Sequence, residues 1–405
     1  MIREYRRILF YFVVGLGWFY LLLFPFMAVK PEGIVLGPSL HVLGIVAVVA
    51  AVGLVGWSLK RHGWLNFILT PAAKVSGLVS RGYEATPGWA HLLLFIAVAV
   101  CAFFGDRYVL DVSINVMIYI CLGLGLNIVV GLCGLLDLGY IAFYGVGAYV
   151  YALLAIHFGV SFWICLPISM ALAALAGCIV GYPTLRMRGD YLAIVTLGFG
   201  EIVRLLLNNW MSLTNGPNGI LGIPRPTIWI PSWAHGFTFE SFYIKHLPYL
   251  YIIILCFTVF TIVAVFRLNY SRIGRAWEAM REDETAAELM GVNTFLLKLL
   301  AYAMGAVFGG LAGAYFSARM GSIFPTSFSF MESAMVLSMV VLGGMGSIPG
   351  VIVGALALVA LPEVFRDVAE YRMFAFGAAM TLMMLFRPAG LIPAKRFAGR
   401  SEENI

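Results

Sequence analysis

Residues 248–266 read PYLYIIILCFTVFTIVAVF, a stretch without one charged side chain. A helix of that length, rising about 1.5 Å per residue, covers the hydrocarbon core of a bilayer. The next stretch has the opposite character. Residues 267–298 read RLNYSRIGRAWEAMREDETAAELMGVNTFLLK and carry five basic and five acidic residues. Apolar sequence then returns at 295–317, FLLKLLAYAMGAVFGGLAGAYFS. Two membrane helices joined on an aqueous side account for this order, because only a helix satisfies its own backbone within lipid.

The same alternation fills the chain. Of its 405 residues, 62% are apolar and 11% charged, against roughly 45–50% and 25% in soluble domains. So little polar surface excludes a soluble enzyme, a disordered chain, a coiled coil and a secreted disulfide scaffold. Apolar runs fall near 8–29, 39–59, 89–105, 112–131, 138–158, 161–181, 190–208, 248–266, 295–317, 331–347, 349–365 and 372–387. The first follows MIREYRR but is long and lacks a small-residue exit, so it reads as a retained helix rather than a signal peptide. Two breaks, GLCGLLDLG at 131–139 and GGMGSIPG at 343–350, are glycine-rich and nearly uncharged. Each reads as a loop or as an unwound segment inside the membrane. The expectation is an all-α polytopic membrane protein with 10–12 transmembrane helices. Residues 1–88, ending in a long linker, read as an accessory region, and 89–405 as the core.

Basic residues near helix ends set the orientation. With the N-terminus inside, 18 fall in cytoplasmic loops and seven in external ones. Both termini are therefore expected in the cytoplasm, and 267–298 becomes a cytoplasmic loop. The net charge of +6 follows from this distribution and does not point to nucleic acid.

No chemistry of catalysis stands out. There is no phosphate-binding P-loop, no GxSxG elbow and no HExxH pair. The six cysteines sit singly in apolar runs and the six histidines are scattered. The chain is expected to bind no metal and no cofactor, and any energy it uses must come from elsewhere.

Within 267–298, Arg275 to Met290 has helix-forming residues and no proline, with a modest apolar face at Ala276, Trp277, Met280, Ala287 and Met290. Gly291 suits the left-handed position after a helix, and Asn293 can cap the next one. A plain solvated connector and a rigid helix docked on a cytosolic partner both fit. The motif ETAAELMG resembles the coupling loop of ABC importer permeases. Together with GDYLAIVTLGFGEIVRLLLNN at 189–209, TNGPNGI at 214–220, GRAWEAMREDE at 274–284 and VVLGGMGSIPG at 340–350, it resembles the LivM-type permeases of branched-chain amino-acid importers through about 110–395. The resemblance implies a bacterial inner-membrane permease working with a LivH-type second permease, two ATPase subunits that use the ATP, and a periplasmic binding protein. It implies ATPase contact at Glu284, Ala286, Ala287 and Gly291. Import of urea or another amide by the same family, and ion-coupled secondary transport, remain as alternatives.

Four polar residues are candidates for the translocation path. Glu201 and Arg204 are three apart on a helix, and Asn208 continues their face. Glu201 lies about 16 Å along the helix from Asp190, near mid-membrane. The pair reads either as structural or as path-lining. Asp137, in the first glycine-rich break, either reaches cytoplasmic water or sits in an unwound segment near the path; similar permeases usually carry a small or apolar residue there. Glu332 reads as an interfacial residue at the outer face. Thr214–Gly219 reads as a surface turn or a binding-protein contact. Ala301, Gly305, Gly309, Gly313 and Ser317 recur every fourth position, the spacing that lets another helix approach closely.

Overall fold

In the computed structural model, which describes residues 107–360 with breaks at 185–186, 188, 233–237 and 244–245, together with 29–30, 33–34, 377, 381 and 390–393, the apolar runs are helices. They are α1 (Arg107–Asn127), α2 (Ile141–His157), α3 (Phe162–Thr184), α4 (Asp190–Asn209), α5 (Leu247–Asn269), α8 (Thr294–Met320), α9 (Phe330–Gly343) and α10 (Ile348–Ala355), while the charged loop forms α6 (Arg272–Glu282) and α7 (Glu284–Leu289) and a single helical turn, Met211–Thr214, follows α4. A π-helical turn prolongs α1 over Ile128–Leu132, and another prolongs α10 over Leu356–Ala360. Prolonged α1, α3, α4, α5 and α8 are long and apolar enough to cross a bilayer, and α2, α9 and prolonged α10 are shorter apolar helices. Each of the eight runs read between 112 and 365 thus has its helix. The runs at 8–29, 39–59, 89–105 and 372–387, and the boundary at residue 88, lie outside the described residues.

The chain forms two compact units, residues 1–79 with 377–388 and residues 80–376 with 389–405. In the first, Val29–Lys30 pairs antiparallel with Gly33–Ile34. Helices α1 to α10 belong to the second.

Helix α8 is the centre of that unit, and its small residues explain why. A Cβ on Gly313 would stand 2.1 Å from the Tyr144 carbonyl oxygen, and one on Gly309 would stand 3.2 Å from the Phe143 Cβ, so α2 packs almost backbone to backbone. Gly305 admits α1, where Val129 Cγ2 would be 2.8 Å from such an atom. Gly310 does the same for α3, against Ala173. Two of the phenols buried by this packing find carbonyl partners, Tyr140 donating to Gly305 at 2.9 Å and Tyr315 to Leu250 at 2.7 Å. The hydroxyls of Tyr149 and Tyr302 have none among the described residues. The close approach expected from the four-residue spacing is therefore present on several sides.

Helices α9 and α10 form an antiparallel hairpin. Added Cβ atoms on Gly343 and Gly354 would stand 2.2 Å from the carbonyl oxygens of Gly350 and Met339. Leu391 and Ile392 donate backbone hydrogen bonds to Leu342 and Gly343 at 2.9 Å. With 14 residues, α9 reaches only about 21 Å, short of the roughly 30 Å core. That length suits the reading of 343–350 as a turn within the membrane.

The connection from α4 to α5 carries one antiparallel strand pair and one strand of a second, neither of which hydropathy reveals. Ile220–Leu221 pairs with Ser322–Ile323 just beyond α8, and Thr227–Ser232 pairs with Thr238–Tyr243. The segment 214–220 is a fitted turn. Asn215 is left-handed at φ 60° and its amide donates to the Gly219 carbonyl at 3.0 Å. Thr214 donates to the Leu207 carbonyl at 2.6 Å. At the same end of α8, Arg319 is ion-paired with Asp111 and bonded to Asn115, both on α1. Tyr119 donates to Glu332 at 2.6 Å, so this carboxylate joins α1 to α9.

Candidate functional site

The charged loop folds into two helices rather than one. Asp283 is extended (φ −151°, ψ 108°) and its carboxylate accepts from the backbone N–H groups of Thr285 and Ala286 at 2.9 and 3.0 Å. A single helix over 275–290 is thereby corrected: a good N-cap in mid-segment gives the backbone a better partner than continued helix. Ser271 caps α6 by accepting from Gly274 at 3.1 Å. The end of α7 follows the expectation for Gly291. Its φ is +85°, its N–H bonds to Glu288, and Val292 bonds to Ala287, the paired closure typical of a left-handed helix end. Asn293 caps α8 by accepting from Leu296 at 3.1 Å.

Three side chains tie this loop to the spans. Trp277 is fully buried and donates to the Leu297 carbonyl at 2.8 Å. Lys298, buried at the start of α8, pairs with Glu284 at 2.6 Å. Arg281 donates to the Gly131 carbonyl in the π-helical turn of α1. Beside it, the Asn127 side-chain oxygen accepts from Gly346 at 2.8 Å. A Cβ on Gly131 would stand 2.5 Å from the Gly346 nitrogen, so the two glycine-rich breaks meet each other, and the loop touches one of them.

These contacts sort the residues expected to face an ATPase. Glu284 is turned inward toward Lys298, and Ala287 is buried beneath α7. Ala286 and Gly291 are exposed. Leu289 and Met290, 83% and 84% exposed, make an apolar tip at the far end of α7. The sequence signal for them was two apolar residues beside a terminating glycine in an otherwise charged loop.

In the membrane helices, Arg204 holds Glu201 through Nε at 2.9 and 3.0 Å and through Nη2. Their side chains remain 29% and 38% exposed, and Asn208 is half-buried on the same face. Asp137 lies apart from this pair. It is 1% exposed, so the reading in which it reaches water is corrected. Its Oδ1 accepts from Gly139 at 2.8 Å, while Oδ2 has no hydrogen-bond partner. Leu138 donates to Thr196 Oγ1 at 3.1 Å, and Gly139 lies against Thr196 and Gly200. The break around Asp137 therefore crosses the buried face of α4, whereas Glu201 and Arg204 look out from its open face. Intramembrane charges are costly when they face lipid, and this pair neutralises itself, while Ile194, Ile202, Leu205 and Leu206 leave the rest of the open face apolar.

The sequence signature described as the branched-chain amino acid transport system permease component matches residues 108–386. The chain belongs to this family. The high-affinity branched-chain amino acid permease protein LivM of Escherichia coli K12 is 49% identical over 75% of this chain and 74% of its own. A probable LivM protein of Methanocaldococcus jannaschii is 26% identical over 73% of this chain and 93% of its own. The permease protein LivH of Escherichia coli K12 is 31% identical over 46% of this chain and 60% of its own. No solved structure matches. Helices α2 to α10, and all of α1 but its first residue, fall inside the matched residues. In this permease the loop of α6 and α7 is a folded body bound to α1 and α8, with an apolar tip left free.

Proposed function

We propose that the chain is the membrane-spanning permease subunit of an ATP-driven, binding-protein-dependent importer of leucine, isoleucine and valine. It would work in a bacterial inner membrane with both termini in the cytoplasm. A LivH-type second permease, two ATPase subunits and a periplasmic amino-acid-binding protein would complete the assembly. The partner ATPases would use the ATP, and this chain would bind no cofactor and catalyse no reaction. The kinship to LivM and LivH permeases supports the cargo and the second permease.

The observation that carries the coupling role is the rigid loop with its exposed Leu289–Met290 tip. An apolar pair in an aqueous loop suits a groove on a partner. Motion delivered there passes to α8 through Lys298 and Trp277, and to the breaks through Arg281. Alternating access follows if ATP and loaded binding protein favour different arrangements of the permease pair. The test is leucine uptake into proteoliposomes holding the complete assembly. Uptake should require internal ATP and external binding protein, survive an uncoupler, and be displaced by isoleucine and valine but not by urea. Uptake abolished by the uncoupler at constant ATP would refute the reading.

A further inference from the structure

Several basic side chains of the described helices are held within the chain. Arg204 has Glu201, Lys298 has Glu284 and Arg319 has Asp111. The junction of α5 and α6 differs. Arg267 and Arg272 are exposed, and among the described residues neither has a hydrogen-bond or ion-pair partner. Arg275, also exposed, places Nη1 on the Tyr270 carbonyl at 3.0 Å, which leaves most of its N–H donors over. No acidic residue occurs from Leu247 to Trp277, and the first one, Glu278, stands a turn beyond Arg275. Three guanidinium groups therefore gather over 267–275 with no carboxylate among them. An apolar track leads to them along α5. Phe260, Val263, Phe266 and Tyr270 are 54%, 50%, 38% and 51% exposed. With Arg267 they recur every three or four positions and so share one face. The rings of Phe266 and Tyr270 lie 4.7 Å apart. Tyrosine gathers where hydrocarbon meets headgroups, so this pair marks that level on the side of the charged loop, and the arginines flank it.

We propose that the junction of α5 and α6 binds an anionic phospholipid, its phosphate among Arg267, Arg272 and Arg275 and an acyl chain along Phe260, Val263 and Phe266. Planar guanidinium forks match phosphate oxygens, and each arginine at a membrane surface adds attraction for anionic lipid. The apolar track favours a lipid over a free phosphate ion, which makes no use of it. It also disfavours a soluble partner, which does not reach a face of α5 that lies in hydrocarbon. Glu278 borders the site and leaves it net positive. The site requires only that the chain spans a membrane, so it does not depend on the cargo, the orientation or the ATPase contact. A headgroup held there would brace the joint from which the charged loop starts.

The test is photo-labelling of the full-length chain in phosphatidylcholine vesicles, with a trace of phosphatidylglycerol that carries a diazirine in its acyl chain. The label should fall on the segment from Phe260 to Tyr270, located by mass spectrometry, and the matching phosphatidylcholine probe should label that segment far less. Equal labelling by the two probes, or labelling of other helices only, would overturn the proposal. Excess inorganic phosphate should leave the labelling unchanged. Loss of label to phosphate would mean a site for a free anion, and loss on adding the ATPase subunits would mean a partner's surface; either result overturns the proposal. The unmodified chain suffices for these measurements, so they stand whether or not a variant folds. Among variants, Arg272→Gln should lower labelling of the segment about fivefold and Arg267→Gln with Arg272→Gln should lower it further. Arg107→Gln, at the start of α1, should not. Undiminished labelling in the double variant would rule out the phosphate contact and with it the proposal.

Discussion

Arg281 and Gly131 stand 150 positions apart, yet the guanidinium of one holds the carbonyl of the other where α1 becomes π-helical. Carbonyls in the last turn of a helix lack intrahelical donors, and that of Gly131 receives its donor from the charged loop. Loop and break are thereby a single mechanical element. Arg281→Ala should leave membrane yield largely intact but lower the number of leucine molecules moved per ATP several-fold, with Arg281→Lys intermediate. An unchanged ratio in reconstituted vesicles would remove the loop-to-break link.

The buried pair of Lys298 and Glu284 should respond asymmetrically. Glu284 is 30% exposed and can hydrate when its partner is removed, whereas Lys298 is 7% exposed and cannot. Glu284→Gln should therefore cost about 3 kcal/mol, more than Lys298→Met, and the double variant should recover part of the loss. Thermal midpoints of the four proteins in detergent test this order, and equal losses from the two single variants would contradict it.

The apolar tip separates docking from folding. Leu289→Asp with Met290→Asp touches nothing buried, so yield and permease pairing should hold while ATP hydrolysis stimulated by loaded binding protein falls sharply. Ala287→Trp should instead lower the yield, because Ala287 lies beneath α7. Full stimulation in the double aspartate variant would reduce the tip to a connector.

Gly291 tests the same region through its backbone. At φ +85° a β-branched side chain adds roughly 1 kcal/mol or more of strain. Gly291→Val should shift the angle between α7 and α8 and depress ATPase stimulation, and Gly291→Asn should do so less. Valine and asparagine variants that behave alike would show that the left-handed turn has no functional weight.

Gly313 and Gly145 grade the packing around α2. Alanine at 313 meets a main-chain oxygen at 2.1 Å, whereas at 145 it meets the Phe328 ring at 3.2 Å. Overpacking costs typically 1–3 kcal/mol, and Gly313→Ala should sit at or above that range while Gly145→Ala sits below it. Chemical denaturation of the purified permease gives the comparison.

What was legible in the sequence was what depends on neighbours along the chain. Apolar runs located the eight helices between 112 and 365, the glycine after α7 located its end, and Asn293 located the start of α8. Asp283 was missed because DETAAEL suits a helix interior and a helix start equally, and only the fold around it decides. Asp137 was misplaced for a related reason: an acid among glycines looks like a turn in water, and nothing local shows that α4 covers it. The meeting of Asn127 with Gly346 and of Arg281 with Gly131 depends on how distant helices register, which a single sequence does not encode in any periodic pattern. Leu289 and Met290 were within reach, since apolar residues at the tip of a charged loop are out of place.

The strand pair at 220–221 and 322–323, with Arg319 held on α1, fastens one end of α8, while its other end carries the loop. A tilt of α8 about that fastening by about 5° would, over its 27 residues, about 40 Å, displace the loop end by about 3.5 Å, and the helices packed along it would have to move with it. A stroke at the loop would then reach the opposite surface as a small rotation with little shear. A partner seated there would feel a change of angle rather than a sliding contact, and could remain attached through the whole cycle.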